Sequence, residues 1–210
     1  MSLRFIGRDN VRKRLAALEG FAGSTVYADG AVRIKSASEN VVVRPSFGLA
    51  HTGSYESVHV APLLEEIARD HLIAVVLARL GGYAVGVFDG EELVVSKADS
   101  RFVKNRHKQG GSSANRFRRR RDEQAKALIE EAAEVTARVL GPWQGRAEFA
   151  ALGGDRTAID RILGEKRELA WLRERSLPRF FTVEEPRRRV LDALPYDLYS
   201  VGIEDDKPDR

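Results

Sequence analysis

Residues 71–100 read HLIAVVLARLGGYAVGVFDGEELVVSKADS, and this stretch decides the fold class. His71–Leu80 is apolar and rich in β-branched residues, with no polar alternation until Arg79. That is the pattern of a strand buried on both faces. Gly81-Gly82 makes a tight connection. Tyr83–Gly90 and Glu91–Asp99 come next as a hairpin around Asp89-Gly90, a two-residue turn signal. Three meandering strands are therefore expected here, and the elements after them alternate between helix and strand. From about Ser113 the period changes to helical: Phe117, Arg121, Ala125, Leu128, Ala132, Val135 and Val139 recur at steps of three and four. All but Arg121 are apolar, giving one amphipathic stripe of about six turns. Gly141-Pro142 ends it. Next come AEFAALGG (147–154) as a strand, Arg156–Leu163 as a helix, a linker, Phe180–Val183 as a strand and Pro186–Leu194 as a helix. The order β-β-β-loop-α-β-α-β-α predicts an α/β (α+β) fold, a mixed β-sheet flanked by helices.

Upstream of this block the chain reads as β-rich. Thr25–Ala28 and Val32–Lys35 flank Asp29-Gly30 as a hairpin. Asn40–Arg44 is a short Val-rich strand stopped by Pro45, and residues 45–57 read as a loop. Pro62 and the adjoining LLEEIARD read as a short helix with Pro in its first turn. The expected organisation is a β-rich N-terminal extension over 1–60, one domain over 61–202, and a charged tail over 203–210.

Composition narrows the function classes. The 210 residues include no cysteine, which excludes disulfides, thiolate zinc sites and cysteine nucleophiles. The apolar runs fall short of the about 20 residues that a membrane-spanning helix needs. The N-terminus, MSLRFIGRDNVRKRL, lacks an apolar signal region. A cytoplasmic protein, without membrane association, is expected. The net charge is +4, but its distribution is uneven. Ser100–Arg121 holds nine Lys or Arg residues and no Asp or Glu, leaving 26 basic against 31 acidic residues elsewhere. Such a concentration of positive charge is the footprint of a phosphate-binding surface.

Within that basic stretch the tip reads Gln109-Gly110-Gly111-Ser112-Ser113. Adjacent glycines free the backbone and remove side-chain bulk, so such a tip can enter a narrow site and present N–H groups to an oxygen. A helix beginning there adds unpaired donors and a positive dipole end. Lys104, Arg106, His107 and Lys108 precede the tip, and Arg116, Arg118, Arg119, Arg120 and Arg121 come after it. Successive arginines on a helix point around it and suit a crevice with phosphates on several sides. The same letters carry plainer readings. Gly-Gly-Ser-Ser is also a flexible linker, and an arginine run is also a solvated face. Ser112 and Ser113 read as helix caps rather than nucleophiles, because no base with an orienting partner accompanies them. His107 fits the basic surface. No phosphate-binding P-loop or dinucleotide glycine fingerprint is present. His51, His59, His71 and His107 lack zinc-ligand spacing. No metal and no cofactor is expected.

The segment GGSSANRFRRRRDEQA (110–125) resembles the Gly-Gly-Gln segment of the eukaryotic and archaeal class I translation release factor. There the glycines and glutamine lead through a Ser-Ala-x-Arg-Phe run into a long helix, and Gly110, Gly111, Ser113, Ala114, Arg116 and Phe117 fall on those positions. Lys108–Ser112 is closer still to the Vms/ANKZF tRNA hydrolases of ribosome quality control, and above all to their bacterial relatives, the actinobacterial Vms-like release factors. The resemblance covers roughly residues 73–200. It implies an RNase H-like middle-domain fold and a peptidyl-tRNA hydrolase that cleaves the nascent peptide–tRNA ester on stalled large ribosomal subunits. It implies Gln109, Gly110, Gly111, Ser112 and Ser113 as the catalytic tip and the surrounding basic residues as RNA contacts. The partners would be the large ribosomal subunit and peptidyl-tRNA, with no DNA, and the protein would be monomeric. Release factors carry Gln directly after the glycines and the Vms enzymes carry it one place later; here Ser112 and Ser113 stand there, and Gln109 precedes the glycines. The alternative reading is a non-catalytic module that binds the ribosomal A site or tRNA. A metal-dependent nuclease is a third class, for which no carboxylate cluster is evident near the loop.

Overall fold

The computed structural model describes residues 3–79, 81–100 and 112–205, the side chains of 112–118, 120 and 121 excepted. The chain folds into two compact units, one of residues 1–70 with 194–210, the other of 71–193. The expected boundary at residue 60 therefore falls later, at the buried His71, and the chain returns to the first unit at its end.

The first unit is a six-stranded antiparallel sheet in the order β1-β10-β4-β3-β2-β5. Its strands are β1 (Arg4–Ile6), β2 (Ala22–Ala28), β3 (Ala31–Ser36), β4 (Asn40–Arg44), β5 (Gly53–Ser57) and β10 (Val201–Asp205). Asp29 and Gly30 both take positive φ, 53° and 69°, the geometry of the tight turn that joins β2 to β3. Helices α1 (Arg8–Ala16) and α2 (Ala61–Ala68) bury Val11, Leu15, Leu63 and Ile67 against Val32, Ile34, Val41 and Val43 of the sheet. Two parts of this unit differ from the sequence reading. The end of the 45–57 segment is the edge strand β5, whose Ser, Gly and Glu residues hide its β character. Residues 203–205, read as tail, belong to β10, which pairs with β1 on one side and β4 on the other. Val201 and Ile203 are buried there, so two apolar residues outweigh the charges beyond them.

The second unit contains the 71–100 stretch as β6 (Leu72–Arg79), β7 (Gly82–Asp89) and β8 (Glu92–Ser100). β6 is antiparallel to β7 and parallel to β9 (Phe149–Gly154), giving the mixed order β8-β7-β6-β9. The β7–β8 turn is Gly90-Glu91, one residue later than expected, with Gly90 at φ 61°. A bulge opposite Val87 and Phe88 leaves Val94 exposed. One face of the sheet, Ala74, Val76, Ala78, Tyr83, Val85 and Val87, forms a core with α3 (Ser112–Leu140) and α4 (Arg156–Glu165). The other face, including Ile73, Val75, Leu77 and Phe88, is buried as well. That double burial is why β6 shows no polar alternation. The expected strand at Phe180–Val183 is reduced to a parallel bridge between Phe181 and Gly153, with a second bridge from Ser176 to Ala150. Short α5 (Ala170–Glu174) lies between α4 and these bridges, and α6 runs over Arg188–Leu198.

Candidate nucleic-acid interface

The topology sets the geometry of the site. β7 runs against both β6 and β8, and β9 runs with β6. The C-terminal ends of β6, β8 and β9 thus share one end of the sheet. β8 ends there at Ser100, and the basic segment departs from it. α3 then returns to the opposite end, because β9 begins beside the start of β6 with Phe149 opposite Ile73.

α3 is far longer than the sheet it packs on. It has 29 residues, and its buried residues all fall between Leu128 and Leu140 among the described side chains. That segment spans about 18 Å at 1.5 Å per residue, which matches the about 20 Å of a six-residue strand such as β9. Leu128, Ile129, Ala132, Ala133, Val135 and Leu140 enter the core, and buried Thr136 Oγ1 donates to Ala132 O at 2.6 Å. Polar contacts brace the same half: Tyr83 Oη donates to Glu131 Oε1 at 3.3 Å, and Lys166 Nζ meets Glu134 Oε1 at 2.7 Å. The hydrogen bond to Glu134 raises the Lys166 pKa above its ordinary value. Before Leu128 the side chains of Arg119, Asp122, Glu123, Gln124, Lys126 and Ala127 are exposed and Ala125 is half-buried. About 24 Å of helix from Ser112 to Leu128 therefore extends beyond the packed core.

Lys104, Arg106, His107, Lys108, Gln109, Gly110 and Gly111 lie outside the described residues. Ser112 is the first residue of α3, and Ser113, Arg116, Arg118, Arg120 and Arg121 lie within it. A helix that starts at Ser112 leaves the N–H groups of its first turn without intrahelical acceptors. Arg119 is the arginine of this run whose side chain is described, and it is exposed.

Three histidines, His51, His59 and His71, lie among the described residues. His71 is buried, with Nδ1 hydrogen-bonded to Glu148 Oε2 at 3.0 Å, while Glu148 Oε1 accepts from Leu72 N at 3.1 Å. His51 and His59 flank Tyr55 in the first unit, with His59 Nδ1 3.1 Å from Glu19 Oε1. Among the described residues no group of His, Asp or Glu could hold a metal ion, and no helix is long and apolar enough to cross a membrane.

The sequence reading passed over three arginines at the sheet end from which α3 extends. Arg79 ends β6 and its Nη1 donates to Val183 O at 3.2 Å and to Glu184 O at 3.4 Å. Arg156 begins α4 with its guanidinium 4.2 Å from the centre of the Phe180 ring. Arg179 lies 4.9 Å from the Phe181 ring. The only hint in the sequence is the run Arg179-Phe180-Phe181; Arg156 meets its ring through the fold. Two glycines make that meeting possible. A Cβ on Gly153 would come within 2.6 Å of Phe181 O, and one on Gly154, at φ +100°, within 2.1 Å of Ala78 O.

Among solved structures the chain is similar to an archaeal translation termination factor, aRF1, at 12% identity and a TM-score of 0.43, covering 92% of this chain and 73% of that one. It is also similar to the Vms1 mitochondrial localization core, at 13% identity and a TM-score of 0.46, covering 96% and 82%. No curated protein matches it. The family model described as Actinobacteria/chloroflexi VLRF1 release factor matches residues 71–204, from the start of the second unit through its long helix and into β10. The chain belongs to that release-factor family.

Proposed function

We propose that this chain is a peptidyl-tRNA hydrolase that acts on stalled large ribosomal subunits, with residues 109–113 as its catalytic tip. The observation that carries this reading is the construction of α3. It begins at Ser112, directly after Gly110-Gly111, and is buried only from Leu128 onward among the described side chains. A helix built this way holds its start about 24 Å from the core, as entry into a deep, RNA-walled site requires. Arg116 and Arg118–Arg121 come after the tip, where RNA phosphates would line such a site. Membership of a release-factor family supports the same reading.

The chemistry is ester hydrolysis. Water attacks the carbonyl carbon that joins the peptide to the tRNA. The bond from that carbon to the ribose oxygen breaks, and the oxygen leaves as the tRNA hydroxyl with a proton from the water. Charge develops on the carbonyl oxygen, and a backbone N–H at Ser112 would donate to it. One preorganised donor of this kind contributes about 3–4 kcal/mol.

Ser112 and Ser113 in place of glutamine favour a second reading, a module that occupies the A site or tRNA without cleaving anything. Purified large subunits carrying peptidyl-tRNA separate the two. A hydrolase frees the nascent peptide in a single turnover. A binding module sediments with the subunit in a salt-dependent way and leaves the ester intact.

A further inference from the structure

The tip and the arginines of α3 belong to the second unit. In the first unit, α1 and α2 cover one face of the sheet, where Val32, Ile34, Val41 and Val43 are buried. We propose that the other face binds a single strand of RNA, with Arg33, Lys35 and Arg44 on its phosphates. This surface is separate from the tip and does not depend on ester hydrolysis.

Register puts the three cations on that face. Side chains alternate along a strand, so Arg33, Lys35, Val42 and Arg44 point away from the helices. Val42 is nevertheless only 7% exposed. The neighbours that shield it are Arg33 across one strand pair, Glu204 across the other, and Arg44 two residues along. Long stems laid over an apolar residue hold their charged heads in solvent, and both arginines are exposed. Arg44 is the diagonal neighbour of Arg33, about 7–8 Å away. Lys35 lies two residues from Arg33 along β3, about 7 Å. The cations thus form an oblique line across β4 and β3, with a step close to that between phosphates of one nucleic-acid strand. Ser24 and Val26 are the β2 partners of Lys35 and Arg33, and these small side chains leave room for a strand beside the line. The acids of the region leave much of this charge unneutralised. Glu204 meets Arg44 at 3.6 Å, Glu39 of the β3–β4 turn pairs with Arg14, Asp29 lies in the β2–β3 turn, and Glu56 lies on the edge strand β5. Arg33 and Lys35 are exposed and form no ion pair among the described residues. Regularly spaced cations on an open surface suit a repeating polyanion.

The test uses the full chain and a short single-stranded oligouridine, titrated over a range of salt. Arg33→Gln/Lys35→Gln is compared with Arg12→Gln/Lys13→Gln, which removes the same charge from exposed positions on α1. Each phosphate contact on a single strand contributes about 0.7 to the salt slope. The β3 pair should therefore lose about 1.4 from the slope and several-fold in affinity, while the α1 pair keeps most of both. In the wild type, bound RNA should protect Lys35 from acetylation and leave Lys13 reactive, which locates the contact whatever RNA α3 also holds. Thermal melting checks that the variants fold, and the wild-type acetylation pattern decides if the β3 pair does not. Equal losses in the two pairs, no loss in either, or a Lys35 that stays equally reactive with RNA present overturns the proposal. Protection of Lys35 by polyglutamate but not by RNA would assign the face to an acidic protein and overturn it too. Absence of peptide release with Lys35 protected would instead count against the hydrolase reading and leave this surface standing.

Discussion

Ser112 stands at the point where the release-factor pattern expects a glutamine side chain, and it opens α3. If the donor is its backbone N–H, the side chain is dispensable and the N–H is not. Ser112→Ala should keep single-turnover release within a few-fold. Ser112→Pro suits the first position of a helix but removes the N–H. It should lower release by about 10²–10³-fold, the effect of losing one oxyanion donor. Equal loss in both variants would point to the hydroxyl. The glycine pair and the serines could be singled out as a candidate tip because they are adjacent in sequence. The Arg156–Phe180 contact was not, since 24 positions of chain separate two residues that only the β9–α4 turn brings together. Tyr27 gives a test of the first unit at the same scale. It is buried, its Oη donates to His59 O at 2.8 Å, and burial pushes its pKa up to about 12. Between pH 10 and 12 the unfolded chain loses this proton and the folded chain keeps it. Stability should therefore fall as pH rises through that window. Denaturant melts at pH 9 and 11.5 check the sign, and Tyr27→Phe should flatten this part of the dependence.

Among the elements, α3 was the most legible, because its three-and-four periodicity runs unbroken to Gly141-Pro142. What periodicity could not reveal is that the apolar stripe is used unequally. Leu128, Ala132 and Val135 are buried, whereas Ala125 is only half-buried. The packed half should therefore carry stability and the outer half reach. Leu128→Ala should destabilise the second unit by about 2–5 kcal/mol, as buried Leu truncations do. Deleting residues 121–127 shortens the helix by about 10 Å and turns its start by only about 20°. Thermal stability should change little, since the described side chains removed are exposed or half-buried. Peptide release should be lost. Full activity in the shortened protein would show that the outer half does not serve as reach. β5 and β10 were the elements the sequence hid. The first is a polar edge strand, and the second carries only Val201 and Ile203 as buried apolar residues before its acids.

In the whole molecule, the chain leaves the first unit at Asp70 and returns to it at Leu194, so the second unit is inserted between α2 and the last strand. Local patterns cannot report such a return, because it depends on pairing between residues about 160 positions apart, such as Ile203 and Val43. Truncation before Val201 should open the first sheet between β1 and β4 and expose it to protease. Residues 71–193, which keep their own core, should stay protected. Equal proteolysis of both parts would show that they fold as one. The proposed reaction cuts an ester at the far end of α3. The direct measurement is single-turnover release of nascent peptide from purified large subunits carrying peptidyl-tRNA, with wild type and Gly111→Val compared at matched occupancy. Peptide release by the wild type is expected, with a loss of about 10²-fold or more in the variant, the scale of one misplaced oxyanion donor. Wild-type protein that fills the subunit and leaves the ester intact would rule out the hydrolase reading.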